Sequence, residues 1–223
     1  MSPSLIDVLF RPDAFFSNLK SEKESLKIPA LIILAGGFTA AIYGYLMAGL
    51  SAKMMAEVLP SGMESILPLV AIPSAVIITF IIWLIVAGVF YLVSFLFKGQ
   101  GSFNRVLEVV GYGYLPQIAG SLITALAAMV YIPKITVPIL TTAAVQDPAM
   151  VQQVTNAFTH DPAMMELTQI ITLVSIVFML LSAHIWIFGM KHARALSPRD
   201  AAICVGVPVV LYVLYLIYNL GVM

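Results

Sequence analysis

Five stretches of this chain are long and apolar enough to cross a membrane as helices. They occupy residues 29–50, 74–97, 114–132, 168–190 and 201–220. A span needs about 20 mostly apolar residues, because the hydrocarbon core is about 30 Å thick and a helix rises about 1.5 Å per residue. Inside that core each helix must satisfy its own backbone hydrogen bonds. The sequence therefore predicts an all-α, polytopic membrane helix bundle with five transmembrane helices.

The second span is the one whose start is least obvious. Its apolar run begins before residue 74, but Pro68 and Pro73 predict a break at the front end, since proline removes a helical N–H and crowds the preceding turn.

The composition agrees with a lipid environment and excludes some partners. Of the 223 residues, 61% are hydrophobic and 10% charged, whereas a soluble domain has about 25% charged residues. The formal net charge is zero, so no basic field favours nucleic acid. The single cysteine, Cys204, excludes an internal disulfide and is predicted to be a packed core thiol.

The basic residues predict the orientation of the spans. Nine of the 11 lysine and arginine residues fall in the segment before the first span and in the loops after the second and fourth spans. They are Arg11, Lys20, Lys23, Lys27, Lys98, Arg105, Lys191, Arg194 and Arg199. By the positive-inside rule, the N-terminus is predicted to be cytoplasmic and the C-terminus outside.

Residues 1–28 are predicted to form a cytoplasmic amphipathic segment that precedes a single transmembrane domain, residues 29–223. The segment is mixed and charged, with no signal-peptide core, so we expect the first span to stay in the mature protein. Ser2-Pro3 predicts the start of a first short helix, and Arg11-Pro12 predicts the joint to a second. Such helices commonly lie in the headgroup layer, which favours a membrane anchor over a partner-binding helix.

The loop at 133–167 is predicted to be extracytoplasmic and helical. Asp147 and Asp161 each precede a proline, which is a helix-starting pattern. His160 lies between them, near Glu166. A metal site there is the less favoured interpretation, because the usual ligand spacing is absent.

Small residues recur at every fourth position in two spans, so that they share one helix face and let another helix approach closely. They are Gly36, Ala40, Gly44 and Ala48 in the first span, and Gly120, Thr124 and Ala128 in the third. We predict that at least one of these stripes is a helix–helix contact.

The candidate polar cluster consists of Glu108, Tyr112, Gln117 and His184, near the cytoplasmic ends of spans three and four. An ionisable group inside a membrane is a functional candidate by default. His184 lies about 9 Å inside the end of its helix, and Glu108 is its candidate partner. The favoured alternative places a neutral His184 at the membrane interface with Trp186.

The stretch from Glu108 to Gln117 is predicted to be an interfacial bend. A short helix from Phe103 to about Gly111, capped by Ser102, is expected to lie flat before the chain enters the membrane. Arg105 and Glu108 have the i, i+3 spacing of an ion pair. Gly111 and Gly113 are expected to loosen the helix. The tyrosines are expected to point their hydroxyls toward water, as interfacial tyrosines do.

No sequence pattern indicates catalysis. GxSxG, HExxH and phosphate-binding glycine motifs are absent, and few carboxylates fall inside the spans, which disfavours a proton relay. The sequence therefore predicts no enzyme activity, no cofactor and no metal.

Three segments, in order, resemble motifs of the Yip family, the Ypt/Rab-interacting integral membrane proteins. They are LFRPDAFFSNL at 9–19, KGQGSFNRVLEVVGYGYLPQIAG at 98–120 and IWIFGMKHARALSPRDAAICVGVP at 185–208. The loop at 133–167 has no counterpart. The resemblance implies five spans and a cytoplasmic N-terminus. The short N-terminal segment resembles that of prokaryotic members, which implies a prokaryotic cell membrane.

Two functional hypotheses follow. In eukaryotes the family's members are trafficking scaffolds that engage Rab-type GTPases, but no Rab partner is assumed for this chain. The resemblance implies a non-enzymatic adaptor or scaffold in the lipid bilayer, self-associating through its small-residue stripes or binding another membrane protein. The alternative is a small transporter, channel or lipid-handling protein that uses the polar cluster, with Gln169 and Asn219 as further polar groups.

Overall fold

The computed structural model describes the backbone of residues 5–222 and side chains through residue 220. All regular structure in this part of the chain is helical. The α-helices are α1 (Leu5–Phe10), α2 (Pro12–Leu19), α3 (Lys27–Met54), α4 (Met63–Phe95), α5 (Phe103–Tyr112), α6 (Leu115–Tyr131), α7 (Thr142–Val145), α8 (Pro148–Thr159), α9 (Pro162–Ala193) and α10 (Pro198–Val222). A 3₁₀ turn, Ile132–Lys134, follows α6.

Five of these helices are long and apolar enough to cross a membrane: α3, α4, α6 with its 3₁₀ turn, α9 and α10. This confirms the predicted five-span helical fold. The orientation stays a prediction. The helix start predicted at Ser2-Pro3 lies outside the described residues.

The predicted break at the front of the second span is wrong, because α4 continues through both Pro68 and Pro73. Proline is tolerated in membrane helices where neighbouring helices support the freed backbone. Here α3 packs along α4 more extensively than any other pair of helices does. Gly37 of α3 makes the approach close, since a Cβ there would lie 3.0 Å from the Cα of Val76.

Helix α5, which was predicted to lie flat at the membrane interface, is packed inside the bundle. All residues from Arg105 to Tyr112 are buried, and α5 contacts α3, α4 and α9. The indole N–H of Trp83 donates to the carbonyl of Leu107 at 2.9 Å, and that of Trp186 to the carbonyl of Val110 at 2.9 Å. The short helix is therefore a central core element.

The two N-terminal helices differ in how they pack. Helix α2 buries Phe15, Phe16 and Leu19 against the bundle, where it contacts α9. Helix α1 instead leaves Ile6 and Phe10 exposed, at 65% and 79% of their surface. The predicted pair of helices is present, and α2 covers the core that α5 forms.

At the opposite end of the bundle, a small second core contains Leu50, Ala128, Ile135 and Leu167. The predicted capping residues perform that role. The Asp147 carboxylate accepts from the N–H of Ala149 at 2.9 Å, and Asp161 accepts from two N–H groups at the start of α9. The loop at 133–167 is thus partly helical, as expected.

Candidate functional site

Most of the basic residues meet at one end of the bundle, which we call the basic end. It consists of the N-terminal arm (residues 11–26), the loop between α4 and α5 (residues 96–102), α5, and the turn between α9 and α10. Because the arm covers α5, this end contains most of the buried polar contacts of the described chain.

An ion pair on α5 holds the arm in place. The Arg105 guanidinium lies 2.6 Å from the Glu108 carboxylate, as the i, i+3 spacing predicted. The same guanidinium donates to the carbonyl of Glu22 at 2.6 Å. The N–H of Ser25 donates to Glu108 at 3.3 Å. The pair therefore binds backbone atoms of the arm on both sides.

Two further contacts attach the arm. The Ser102 hydroxyl donates to the Glu24 carboxylate. Asp13 of α2 lies 2.7 Å from Lys191 and 2.7 Å from His192, both at the end of α9. Two hydrogen bonds lower the pKa of Asp13 below its ordinary value, the one from Lys191 more than the one from His192.

Burial changes the acidity of two groups inside this end. It raises the pKa of Glu108, and the positive charge of Arg105 opposes that effect without cancelling it. It also raises the pKa of Tyr112 to about 12, with the nearby Glu108 as the second cause. The ring of Tyr112 packs edge-on against Phe15, with centroids 5.0 Å apart. Tyr112 is thus covered by α2, and the predicted orientation of its hydroxyl toward water is wrong.

Arg194, at the end of α9, is a buried cation that the sequence did not single out. Only 1% of its surface is exposed. It donates to the Ser94 hydroxyl at 2.8 Å, to the Gly99 carbonyl at 2.7 Å and to the Gly101 carbonyl. Its guanidinium lies 4.4 Å from the ring centre of Tyr91. Backbone carbonyls and an aromatic ring thus surround it where a carboxylate is the usual partner.

Gly111 of α5 and Gly113, which follows its last residue, permit close packing. A Cβ on Gly113 would lie 2.0 Å from the indole nitrogen of Trp186, and one on Gly111 would lie 2.5 Å from the Cβ of Pro29. The expected interruption of the helix is found at Gly113, where α5 ends, whereas Gly111 lies within the helix. Glycine fits at both positions because Pro29 and the Trp186 ring occupy the space that a side chain would need.

The four residues of the predicted polar cluster do not meet in one pocket. Glu108 and Tyr112 lie inside the basic end. Gln117 donates to Ser182 at 3.1 Å, within the bundle. His184 is exposed on α9 and packs edge-on against Phe188, with ring centroids 5.1 Å apart. The proposed partnership of His184 with Glu108 is therefore contradicted.

The alternative that groups His184 with Trp186 also differs from the structure. Trp186 is buried and bonds to α5, so His184 does not share its surroundings. His184 instead lines an open cleft with Arg11 and Asp13 of the arm and with His192.

The small-residue stripes face the interior of the protomer. A Cβ on Gly120 would lie 3.0 Å from the ring of Phe178 on α9, and one on Gly44 would lie 4.0 Å from Ala75 on α4. Ala128 is fully buried in the second core. Ala48 is only partly buried. The remaining stripe residues, Gly36, Ala40 and Thr124, line a cavity.

This cavity, of about 270 Å³, lies between α3, α4, α6 and α9 near the middle of their lengths. Its polar lining residues are Tyr43, Thr79, Tyr114, Gln117, Ser121, Thr124 and Ser175. No lining residue is charged, and Gln117 is the single member of the predicted cluster that reaches it. Only the convergence of four helices shows that these residues share a cavity.

The chain is similar to a known protein family and to an archaeal protein. The family described as Yip1 domain matches residues 6–219. The uncharacterized protein MJ0794 of Methanocaldococcus jannaschii is 39% identical over 124 residues, which cover 54% of this chain and 85% of that protein. No solved structure matches the chain.

Proposed function

The chain belongs to the Yip1 domain family, and from that premise we propose that it is a non-enzymatic membrane adaptor whose basic end is a rigid docking platform in the cytoplasm. Helix α5, buried from Arg105 to Tyr112 and with the arm fastened over it, is the observation that carries this proposal. A binding platform requires a fixed surface, and this end is fixed by contacts between segments far apart in the chain.

The buried charges support an adaptor over a catalyst. An enzyme or ion-coupled transporter aims its ionisable groups at a cavity that a substrate can enter. Here Arg105, Glu108 and Arg194 all bond to one another or to backbone carbonyls and N–H groups of this end. Their bonding capacity is used to hold the platform together.

The surface of the platform is polar and mixed in charge. The exposed polar residues of the arm and of α5 are Asn18, Lys20, Glu22, Lys23, Glu24 and Asn104. A surface of this composition suits a partner with complementary charges, which gives specificity and a fast association rate.

The proposal does not use the small-residue stripes for self-association. Because Gly36 and Gly120 face the interior, neither stripe is available for pairing protomers. The proposal therefore assigns partner binding to the platform.

Site-specific photo-crosslinking tests this proposal. A photoreactive amino acid at Asn104 or Lys23 is expected to give a discrete adduct with a second protein in native membranes. The same amino acid at Gln152, an exposed position on α8 at the opposite end, is the matched control. Native mass spectrometry in mild detergent then gives the stoichiometry.

The adduct must depend on an intact platform. Glu108→Gln loosens the arm and is expected to abolish adducts at Asn104 while leaving the bundle folded. A protein that stays strictly monomeric, with no adduct from either platform position, contradicts the adaptor proposal.

A further inference from the structure

The intramembrane cavity contains polar groups that the protein itself does not satisfy. Of its lining side chains, Thr79 donates to the Ala75 carbonyl at 2.8 Å, and Ser121 lies 2.5 Å from the hydroxyl of Thr39. Gln117 donates to Ser182. These three have internal partners, as hydroxyl and amide groups within membrane helices usually do.

Four other hydroxyls in the same cavity have no such partner. Within the described part of the chain, Tyr43, Tyr114, Thr124 and Ser175 make no side-chain hydrogen bond, and their oxygen atoms remain accessible. They belong to α3, to α6 and the residue before it, and to α9, so residues of three separate elements with unpaired hydroxyls line one space. Tyr114 lies between this space and the neighbouring groove, because it lines both. A hydroxyl that faces hydrocarbon without a partner is costly, which indicates that something polar occupies this space.

The lining limits what that occupant can be. None of the residues around the cavity is charged, so a phosphate, carboxylate or ammonium group would lose its hydration with no counter-charge. An uncharged head that carries several hydroxyl and carbonyl oxygens can accept hydrogen bonds from the protein hydroxyls, and its own hydroxyls can donate to them.

A neighbouring groove supplies room for a hydrocarbon chain. It has a volume of about 360 Å³, lies between α4, α9 and α10, and shares Ile82 and Tyr114 with the cavity. Apart from the two tyrosine hydroxyls, its lining is apolar and includes Val86, Met179 and Val209. A polar cavity beside an apolar groove, both among spanning helices, has the shape of an amphiphile's site.

We propose that the cavity binds an uncharged lipid, with its hydroxyl or carbonyl head among Tyr43, Tyr114, Thr124 and Ser175 and its chain in the groove lined by Ile82. The site is separate from the platform at the basic end, so it does not rest on the adaptor proposal. Either one can fail without the other.

Photo-labelling in lipid nanodiscs tests the site. The probe is a monoacylglycerol that carries a diazirine in its chain, applied to the full chain in phosphatidylcholine nanodiscs. The label is expected on peptides from α4, α9 and α10, which line the groove that holds the chain. Unlabelled monoolein should displace it, while oleate, charged at pH 8, and octadecene, which has no polar head, should each compete at least tenfold more weakly.

Single-residue variants distinguish lipid binding that depends on hydrogen bonds from partitioning of the lipid into an apolar groove. Thr124→Val and Ser175→Ala each remove one unpaired hydroxyl with little change in shape. Each should raise the monoolein concentration needed for displacement about fivefold, equivalent to about 1 kcal/mol. Ala40→Leu fills the cavity and should abolish labelling.

Thr168→Val is the matched control, because that hydroxyl bonds to the Met164 carbonyl at 2.8 Å and does not line the cavity. It should label as the native chain does. Equal competition by octadecene, or unchanged competition in Thr124→Val and Ser175→Ala, would overturn the proposal. Absence of label on these helices would also overturn it and assign the cavity to water.

Discussion

Three charged side chains are buried at the basic end, Arg105, Glu108 and Arg194, whereas the longest connecting helix at the opposite end, α8, buries no residue. The basic end joins segments that are up to 179 positions apart in sequence through hydrogen bonds of side chains to other side chains and to the backbone. The opposite end has local helix caps at Asp147 and Asp161, and its long-range hydrogen bonds, such as the one from the Leu140 N–H to the Met54 carbonyl at 2.7 Å, involve no buried charge. Buried polar contacts fix non-local geometry, while caps fix only where a helix begins. We therefore expect the basic end to respond strongly to single substitutions and the opposite end to tolerate them.

The largest effect is expected at Arg194. Arg194→Met leaves the buried hydroxyl of Ser94 and the partly buried carbonyl groups of Gly99 and Gly101 without this donor, and a buried group left unsatisfied costs about 1–3 kcal/mol. The free energy of unfolding should fall by about 3 kcal/mol or more, measured by thermal denaturation in detergent.

Arg199→Met is the control, since Arg199 is exposed at the same end. It removes the same charge without uncovering a buried carbonyl. If both substitutions lower the melting temperature equally, the carbonyl contacts of Arg194 contribute nothing beyond charge.

The next effect is steric. Gly113→Ala would place a methyl group 2.0 Å from the indole nitrogen of Trp186, so the ring or α5 must move. Overpacking of this kind costs about 1–3 kcal/mol. Loss of the Trp186 hydrogen bond to Val110 should also shift the tryptophan fluorescence on the same samples.

Gly206→Ala on α10 provides the comparison, because a Cβ there meets no atom within 4 Å. The same change of side chain should then leave the melting temperature nearly unchanged. A destabilised Gly206→Ala protein would show that glycine flexibility, and not close packing, determines both results.

A smaller and more local effect is expected at Glu108. Glu108→Gln leaves Arg105 without its anion and weakens the bond from the Ser25 N–H. The arm should detach more often, so trypsin should cleave at Lys20 and Lys23 about tenfold faster, equivalent to about 1.4 kcal/mol. Glu64→Gln, at the exposed start of α4, should leave the cleavage rate unchanged.

The sequence was sufficient for the spans because hydrocarbon imposes a simple rule on length and composition. It also identified the Arg105–Glu108 pair and the aspartate caps, since both depend on neighbours three or fewer positions away. It failed where the outcome depends on distant partners. The arm covers α5, Trp186 fills the space beside Gly113, and α3 supports α4 through Pro68, and none of these contacts is visible in local patterns.

The candidate sites show the same limit. His184 was selected because a membrane histidine is unusual, but helix rotation turns it toward α2 and away from Glu108. Arg194 was counted only as one more cytoplasmic positive charge. The hydroxyls of the cavity are ordinary residues taken one at a time, and only their convergence from separate helices distinguishes Thr124 and Ser175 from Thr168.

The smallest effect is expected from pH, at the outer edge of the basic end. The pKa of Asp13 is lowered because Lys191 and His192 donate hydrogen bonds to its carboxylate. The docked arm therefore binds a proton less readily than the undocked arm. The contribution of Asp13 is fully present above the ordinary carboxyl value of 3.8 and is lost as pH falls through the lower docked value.

A spin label at Ser17, which is exposed on α2, reports this loosening as increased mobility when the pH is lowered from about 5 to 2.5. Asp13→Asn should be mobile already at pH 5 and should show little further change. Because Asp13 is half exposed, solvent screens the contact and the shift should be modest. Mobility that rises equally in both proteins would assign the pH response to another carboxylate, with Glu108 next to be tested. The arm would then depend on α5 alone, and the outer contact with α9 would add nothing to the stability of the platform.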